Sequence, residues 1–216
     1  MSNDVKLGDR APLWLRLGFW ASIVVAVLVV LRRVFALAYP SRSGPPQMIA
    51  LDVVFASHAR LTLAHILPAL AFVVVIPFLY IRRAAVWPER VLFPLGIVVG
   101  VTAYAMSSYS VGGWVERSAV LLFNSIFLFC LLRAWNDRGN PVTKLQWLTR
   151  AIAVLLGIAT TRPVMGIFFA TARFTHFEPR QFFGFAFWIG FSVNTVMVEV
   201  WLRSRSGKAV LEGPAR

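Results

Sequence analysis

From residue 61 to residue 81 the chain reads LTLAHILPALAFVVVIPFLYI, apolar at nearly every position, without a fixed charge, with one histidine, and then Arg82-Arg83. Apolar residues are not confined to alternate positions or to one helical stripe, as they are in an element that is half exposed to water. An apolar run of about 20 residues matches the hydrocarbon thickness of a bilayer and predicts a membrane-spanning helix. The pattern recurs at 13–31, 91–109, 118–132, 151–172 and 182–202, with segments carrying charge, glycine or proline between the runs. The expectation is an all-α, polytopic transmembrane helix bundle of about six helices. It forms a single domain over 13–202, between a short N-terminal tail (1–12) and a basic C-terminal tail (203–216).

Composition changes the picture only in degree. Hydrophobic residues make up 58% and charged residues 14%, where a soluble domain carries about 25% charge. The formal charge of +13 invites a nucleic-acid reading. The lysines and arginines, however, sit at the ends of the apolar runs and form no basic stripe interleaved with aromatics, so no nucleic-acid partner is expected. They serve as topology signals. With a cytoplasmic N-terminus, Lys6, Arg10, Arg16, Arg82, Arg83, Arg90, Arg133, Arg138, Lys144, Arg150, Arg203, Arg205, Lys208 and Arg216 lie inside. Arg32, Arg33, Arg42, Arg60, Arg117, Arg173 and Arg180 lie outside. This bias predicts both termini in the cytoplasm, the loop 39–47 outside and the loop 136–140 inside. Trp14, Trp20, Trp87, Trp114, Trp147 and Trp201 fall mostly near the ends of the runs, as interfacial aromatics do. The lone Cys130 lies within an apolar run and offers no disulfide, CxxC pair or thiolate metal site; burial is its expected fate.

The first run, preceded by Lys6, Arg10 and Arg16 and followed by Ala36-Leu37-Ala38, imitates a cleavable signal peptide. Arg32-Arg33 interrupt the approach to that cleavage-like triplet, which favours a retained anchor. The prolines and glycine of 39–46 predict an irregular loop, and Asn136-Asp-Arg-Gly-Asn-Pro141 a short turn. No internal repeat, nucleotide-binding glycine loop or hydrolase-type carboxylate pair is present.

What remains is a small set of polar residues in or beside the apolar runs. His58 and His65 are seven residues apart, so on one continuous helix they share a face about 10 Å apart and cannot chelate one metal ion. His176, in the loop 173–180, falls on the same predicted side. These imidazoles suit haem ligation, proton relay or plain interfacial packing. Pro68, one turn after His65, frees a helical carbonyl nearby. Arg162, in Thr160-Thr161-Arg162-Pro163, stands inside a predicted span, where a guanidinium costs about 3 kcal/mol or more. No acidic residue is expected at its depth, since Glu116 and Glu199 belong near helix ends. Two partners suit it: an anionic, quinone or haem-propionate oxygen, or an intramolecular set of Asn124, Asn194 and freed carbonyls. Glu199 and Arg203, spaced i,i+4, predict a helix-end ion pair.

Several short strings carry a resemblance. Leu61-Thr-Leu-Ala-His65, Trp87-Pro-Glu-Arg90, Leu132-Arg-Ala-Trp135 followed by Asn136-Asp-Arg138, Gln146-Trp147-Leu148-Thr149-Arg150 and Thr161-Arg162-Pro163 are spread over 58–202. This stretch resembles a bacterial family of predicted multi-pass membrane proteins, domain of unknown function 2306. The resemblance implies a multi-pass protein of a bacterial inner membrane. Members often place His-Arg pairs at helix starts, which implies haem-linked electron transfer. Here Glu89 precedes Arg90, and Lys144-Leu145 precede Gln146, so those ligands are missing and the resemblance supports the fold more than a cytochrome activity.

Three readings follow. One is a binding or accessory membrane protein, without enzymatic chemistry of its own, with a pocket around Arg162, Asn124, Asn194 and His65. Its partners would be the lipid bilayer, a small anionic or quinone-like ligand, and another membrane protein or a second copy. Another is an electron-transfer component holding haem b through His65 with His58 or His176. A weaker third is a small-molecule transporter, motivated by Pro68, Pro77, Pro94 and Pro163 breaking helices beside polar groups.

Overall fold

A computed structural model describes residues 12–39, 46–81, 87–175 and 179–211. These form seven helices and no strand: α1 Leu13–Ala38, α2 Pro46–Ser57, α3 Ala59–Ile81, α4 Trp87–Ser107, α5 Gly113–Asn136, α6 Pro141–Thr175 and α7 Pro179–Leu211. Six of them, all but α2, are long and apolar enough to cross a membrane. With 12 residues, α2 reaches only about 18 Å at 1.5 Å per residue and is too short to span.

The helices outrun the apolar runs that announce them. α6 covers 35 residues because it starts at a strong local signal: Asn140 caps it, its Oδ1 accepting from the amides of Val142 (3.1 Å) and Thr143 (3.2 Å), and Pro141 takes the first helical position, where no donor is needed. The expected turn before Pro141 is present. The turn between α4 and α5 ends at Gly113, whose φ of +62° suits a residue without Cβ. Helix breaking at proline does not occur: α3 runs through Pro68 and Pro77, α4 through Pro94 and α6 through Pro163. The chain passes into α2 at Pro46 rather than remaining irregular to that point; the rest of the proposed loop, 40–45, lies outside the described residues.

Packing closes a ring. α1 packs on α3, α3 on α4, α4 on α5, α5 on α6, and α6 back on α1, while α7 lies outside the ring in the groove of α5 and α6. The α6–α7 contact is intimate because small residues let backbones approach, the device available where no hydrophobic force separates helix from lipid. Gly157 faces Phe191 and Gly190 faces Thr161, each so closely that a Cβ would sit under 3 Å from its neighbour. We call the end carrying α2 and the α4–α5 turn the upper end, and the end carrying the α5–α6 turn the lower. Inside the ring the lower half is filled by Phe72, Ile76, Leu92, Leu131, Leu148 and Ile152, all buried. Buried Cys130 belongs to the same core.

Ion pairs tie the lower end. Lys144 Nζ donates to Glu89 at 2.8 Å, joining α6 to α4. Glu199 accepts from Arg150 at 2.7 Å and from Arg203 at 2.8 Å. Arg150 also lies over the Trp147 ring at 4.7 Å. At the upper end, Arg32 and Arg33 of α1 both bond to Asp52 of α2.

Candidate binding site within the bundle

The upper half of the ring is hollow. A cavity of about 250 Å³ lies among α1, α2, α3, α4, α5 and α6, with Phe187 and Phe191 of α7 reaching its wall. Most of the wall is apolar. Arg33, His58 and Glu116 lie near the upper ends of their helices and Arg162 joins them from within α6, while Asn124 lies deeper and the rest of the wall is largely apolar.

Two imidazoles brace its rim. His65 Nδ1 lies 3.0 Å from Thr102 Oγ1, while that hydroxyl donates to the Val98 and Val99 carbonyls of its own helix. The threonine proton is therefore committed, His65 Nδ1–H is the donor between α3 and α4, and Nε2 of the neutral ring carries the free lone pair. His58 follows the same logic at the α2–α3 junction. Its Nδ1 is 3.0 Å from Ser57 Oγ, which donates to the Val54 carbonyl. Its ring packs on Tyr109 of the α4–α5 turn, with centroids 3.7 Å apart. The two histidines are not on one unbroken helix, because the chain turns at His58.

Asn124 also lines the cavity, with Nδ2 donating to the Gly100 carbonyl at 2.9 Å. Asn194 does not line it. Its Oδ1 accepts from Thr160 at 2.7 Å and its amide donates to the Ala153 carbonyl at 3.3 Å, locking α7 to α6. The expected grouping of Arg162 with both asparagines therefore splits, since each asparagine is consumed by a helix–helix contact that does not include the arginine. His176 lies outside the described residues.

Arg162 is the anomaly of the site. Its Nη1 points at the Met165 sulfur at 3.8 Å, a weak acceptor. Its Nε is enclosed and has no hydrogen-bond partner. No carboxylate stands within ion-pair distance of it among the described residues. An arginine held in this way has only the longer-range field of Glu116, on the same cavity wall, to offset the desolvation of its charge.

Two charged residues of the wall, Arg33 and Glu116, were not anticipated as parts of a pocket. Arg33 reads in sequence as a charge barrier after the first span, and Glu116 as a helix-end acid. The signal was available in the register, since Arg33 lies within the last two turns of α1 and Glu116 within the first turn of α5. Both are already partnered. Arg33 bonds to Asp52 and stacks over Phe55 at 4.0 Å; Glu116 accepts from the Gly112 amide. Arg162 alone among these three has neither an ion pair nor an oxygen acceptor among the described residues, while Glu116, held by a neutral amide, keeps its charge on the same wall.

A second hollow of about 350 Å³ lies toward the lower end among α5, α6 and α7, beside Cys130, Trp147, Arg150 and Glu199. Its two charges satisfy each other. No group of three metal-ligating side chains occurs among the described residues. Compared with protein-family models, with curated proteins and with solved structures, the chain matches none of them.

Proposed function

We propose that the chain is an intramembrane binding or accessory protein that holds a small amphiphilic ligand in the upper cavity, with Arg162 receiving the head of the ligand. The observation that carries this reading is Arg162, with an enclosed and partnerless Nε and no oxygen acceptor among the described residues, on the wall of a largely apolar hollow of about 250 Å³. A pocket of mostly apolar wall with a few convergent polar groups is the usual form of a small-molecule site. In this reading the protein is a multi-pass component of a bacterial inner membrane with its upper end away from the cytoplasm, as the lysine and arginine bias favours. Likeness to the domain of unknown function 2306 family belongs to the same proposal, with Leu61 and His65 of its first string at the cavity wall.

Haem fits these residues less well. A bis-histidine site needs imidazoles facing each other across the iron. Both described histidines approach from the α2–α3 side, and the residues across from them are Glu116, Phe123 and Arg162. The continuity of α3, α4 and α6 through their prolines also leaves the transporter reading without the unwound helices that motivated it.

Thermal unfolding of wild type, Arg162→Lys and Arg162→Leu, with and without added single-chain amphiphiles carrying a carboxylate, a phosphate or a quinone head, tests the proposal. Wild type should gain stability with at least one of them. Arg162→Leu should remain folded, at least as stable as unliganded wild type, and unresponsive, because an apolar side chain removes an uncompensated charge. Arg162→Lys should respond weakly, since an ammonium lacks the planar fork. Identical melting and no ligand response in all three proteins would overturn it.

A further inference from the structure

Charge, volume and wall chemistry together narrow the ligand further, on the premise that the cavity is a binding site. We infer that the upper cavity takes a single-chain carboxylate amphiphile of medium length, with its head on Arg162 and its chain laid inward along Leu70, Val73, Val99, Phe127 and Val154.

Charge comes first. Arg33 and Arg162 on the wall, with Arg32 sharing Asp52, stand against two carboxylates, Asp52 and Glu116, an excess of one positive charge, and Arg162 is the arginine of the three without an ion pair among the described residues. A monoanion closes that balance. A neutral quinone or alcohol would leave the guanidinium uncompensated in a low-dielectric site, where an unpaired charge is most costly. A phosphate dianion would overshoot, because Glu116 shares the wall and like charges oppose one another there. Carboxylate geometry also matches the arginine fork, two parallel N–H donors against two oxygens. In the present arrangement Nε is an enclosed donor without an acceptor, so a carboxylate that draws the side chain toward the cavity and bridges Nε and a terminal nitrogen would satisfy it.

Volume comes next. At about 30 Å³ per water-sized group, a hollow of about 250 Å³ holds about eight heavy atoms, a carboxylate on a chain of about six carbons in all. A two-chain phospholipid is several times too large to enter whole. Wall chemistry sets the direction. The polar groups cluster at the upper end, whereas Leu70, Val73, Val99, Phe127 and Val154 line the remainder. Those positions continue toward the solid lower core, where Phe72 meets Phe127 edge to face at 5.9 Å. A chain entering head-up therefore has apolar contacts along its length and a closed floor.

Binding of radiolabelled hexanoate to the full chain in lipid nanodiscs, against empty nanodiscs, tests this. Unlabelled hexanoate, hexanol, hexyl phosphate, decyl-ubiquinone and dimyristoyl phosphatidate serve as competitors. Hexanoate should bind saturably at one site per chain, and each of the other four should compete at least tenfold less well. Arg162→Leu should weaken hexanoate binding at least tenfold. Val73→Phe, which fills the tail channel and leaves the head site untouched, should weaken it too, each variant being first checked for folding by size-exclusion chromatography. Should Arg162→Leu fail to fold, Val73→Phe and the competitor order carry the test alone. If hexanol or decyl-ubiquinone competes as well as hexanoate, the carboxylate assignment is wrong while the binding site stands. Stronger competition by hexyl phosphate or phosphatidate would likewise replace carboxylate by phosphate as the head. If none of the five binds above empty nanodiscs, the ligand class and the binding reading fall together.

Discussion

Placing a methyl group at Gly190 should loosen the bundle at its tightest joint. A Cβ there would lie 2.6 Å from Thr161 Cγ2, 2.7 Å from the Thr161 backbone nitrogen and 2.9 Å from its Cα. Two of these three atoms are backbone, so no rotamer change relieves the contact and α7 has to move off α6. Overpacking of this kind costs about 1–3 kcal/mol. Replacing glycine by alanine within a helix returns about 0.5–1 kcal/mol, so Gly190→Ala should be destabilised by roughly 1 kcal/mol, and by no more than about 2.5 kcal/mol. Gly166 provides the control, because a Cβ at that position meets nothing within 4 Å. Gly166→Ala keeps the helix gain alone and should be stabilised by about 0.5–1 kcal/mol. Tryptophan-fluorescence melting in one detergent reads both, at about 2–4 °C per kcal/mol for a chain of this length. A Gly190→Ala protein that melts at or above wild type, or two variants that shift in the same direction, would refute the argument that backbone approach sets the α6–α7 joint.

At the lower end, Glu199→Leu strands Arg150, which is 23% exposed, and should cost about 1–3 kcal/mol; Arg203→Ala removes a partner that is 79% exposed and should cost less than about 1 kcal/mol by the same melting assay. Thr102→Val removes the acceptor of His65 between α3 and α4, and denaturant titration in detergent should show a loss of about 0.6 kcal/mol, the average for a bond between membrane helices. The charge bias predicts that, in a Cys130→Ser background, an impermeant thiol reagent on intact cells labels Ser108→Cys and not Gly139→Cys; the reverse pattern would invert the orientation. Purified protein should show no Soret band, and a band lost in His65→Ala would revive haem ligation.

The spans were legible in the sequence because their signal is length itself, which survives any choice of neighbours. Where helices begin and end was less legible. Glu116 and Arg117 at the start of α5, and Lys144 and Arg150 at the start of α6, interrupt the apolar pattern without interrupting the backbone hydrogen bonding, so apolar runs mark the membrane crossing rather than the helix. α2 stayed hidden because a short segment containing Asp52 after prolines and a glycine carries neither a spanning run nor a clear helical stripe. Arg162 is legible in the sequence as a charge within an apolar run. Its neighbours could not be read in the same way, because cavity membership depends on which helices close the ring. Asn194 has the same composition signal as Asn124, yet the placement of α7 outside the ring turns it toward Thr160, while α5 carries Asn124 to the cavity wall.

The central claim, that Arg162 anchors a ligand inside the bundle, is tested most directly by intact-mass spectrometry of protein released from a mild detergent. The account predicts that wild type retains one noncovalent single-chain adduct per polypeptide and that Arg162→Leu, folded to the same degree, has lost it. Wild type flying as the bare chain while still melting as a folded protein, or an identical adduct on Arg162→Leu, would contradict the claim.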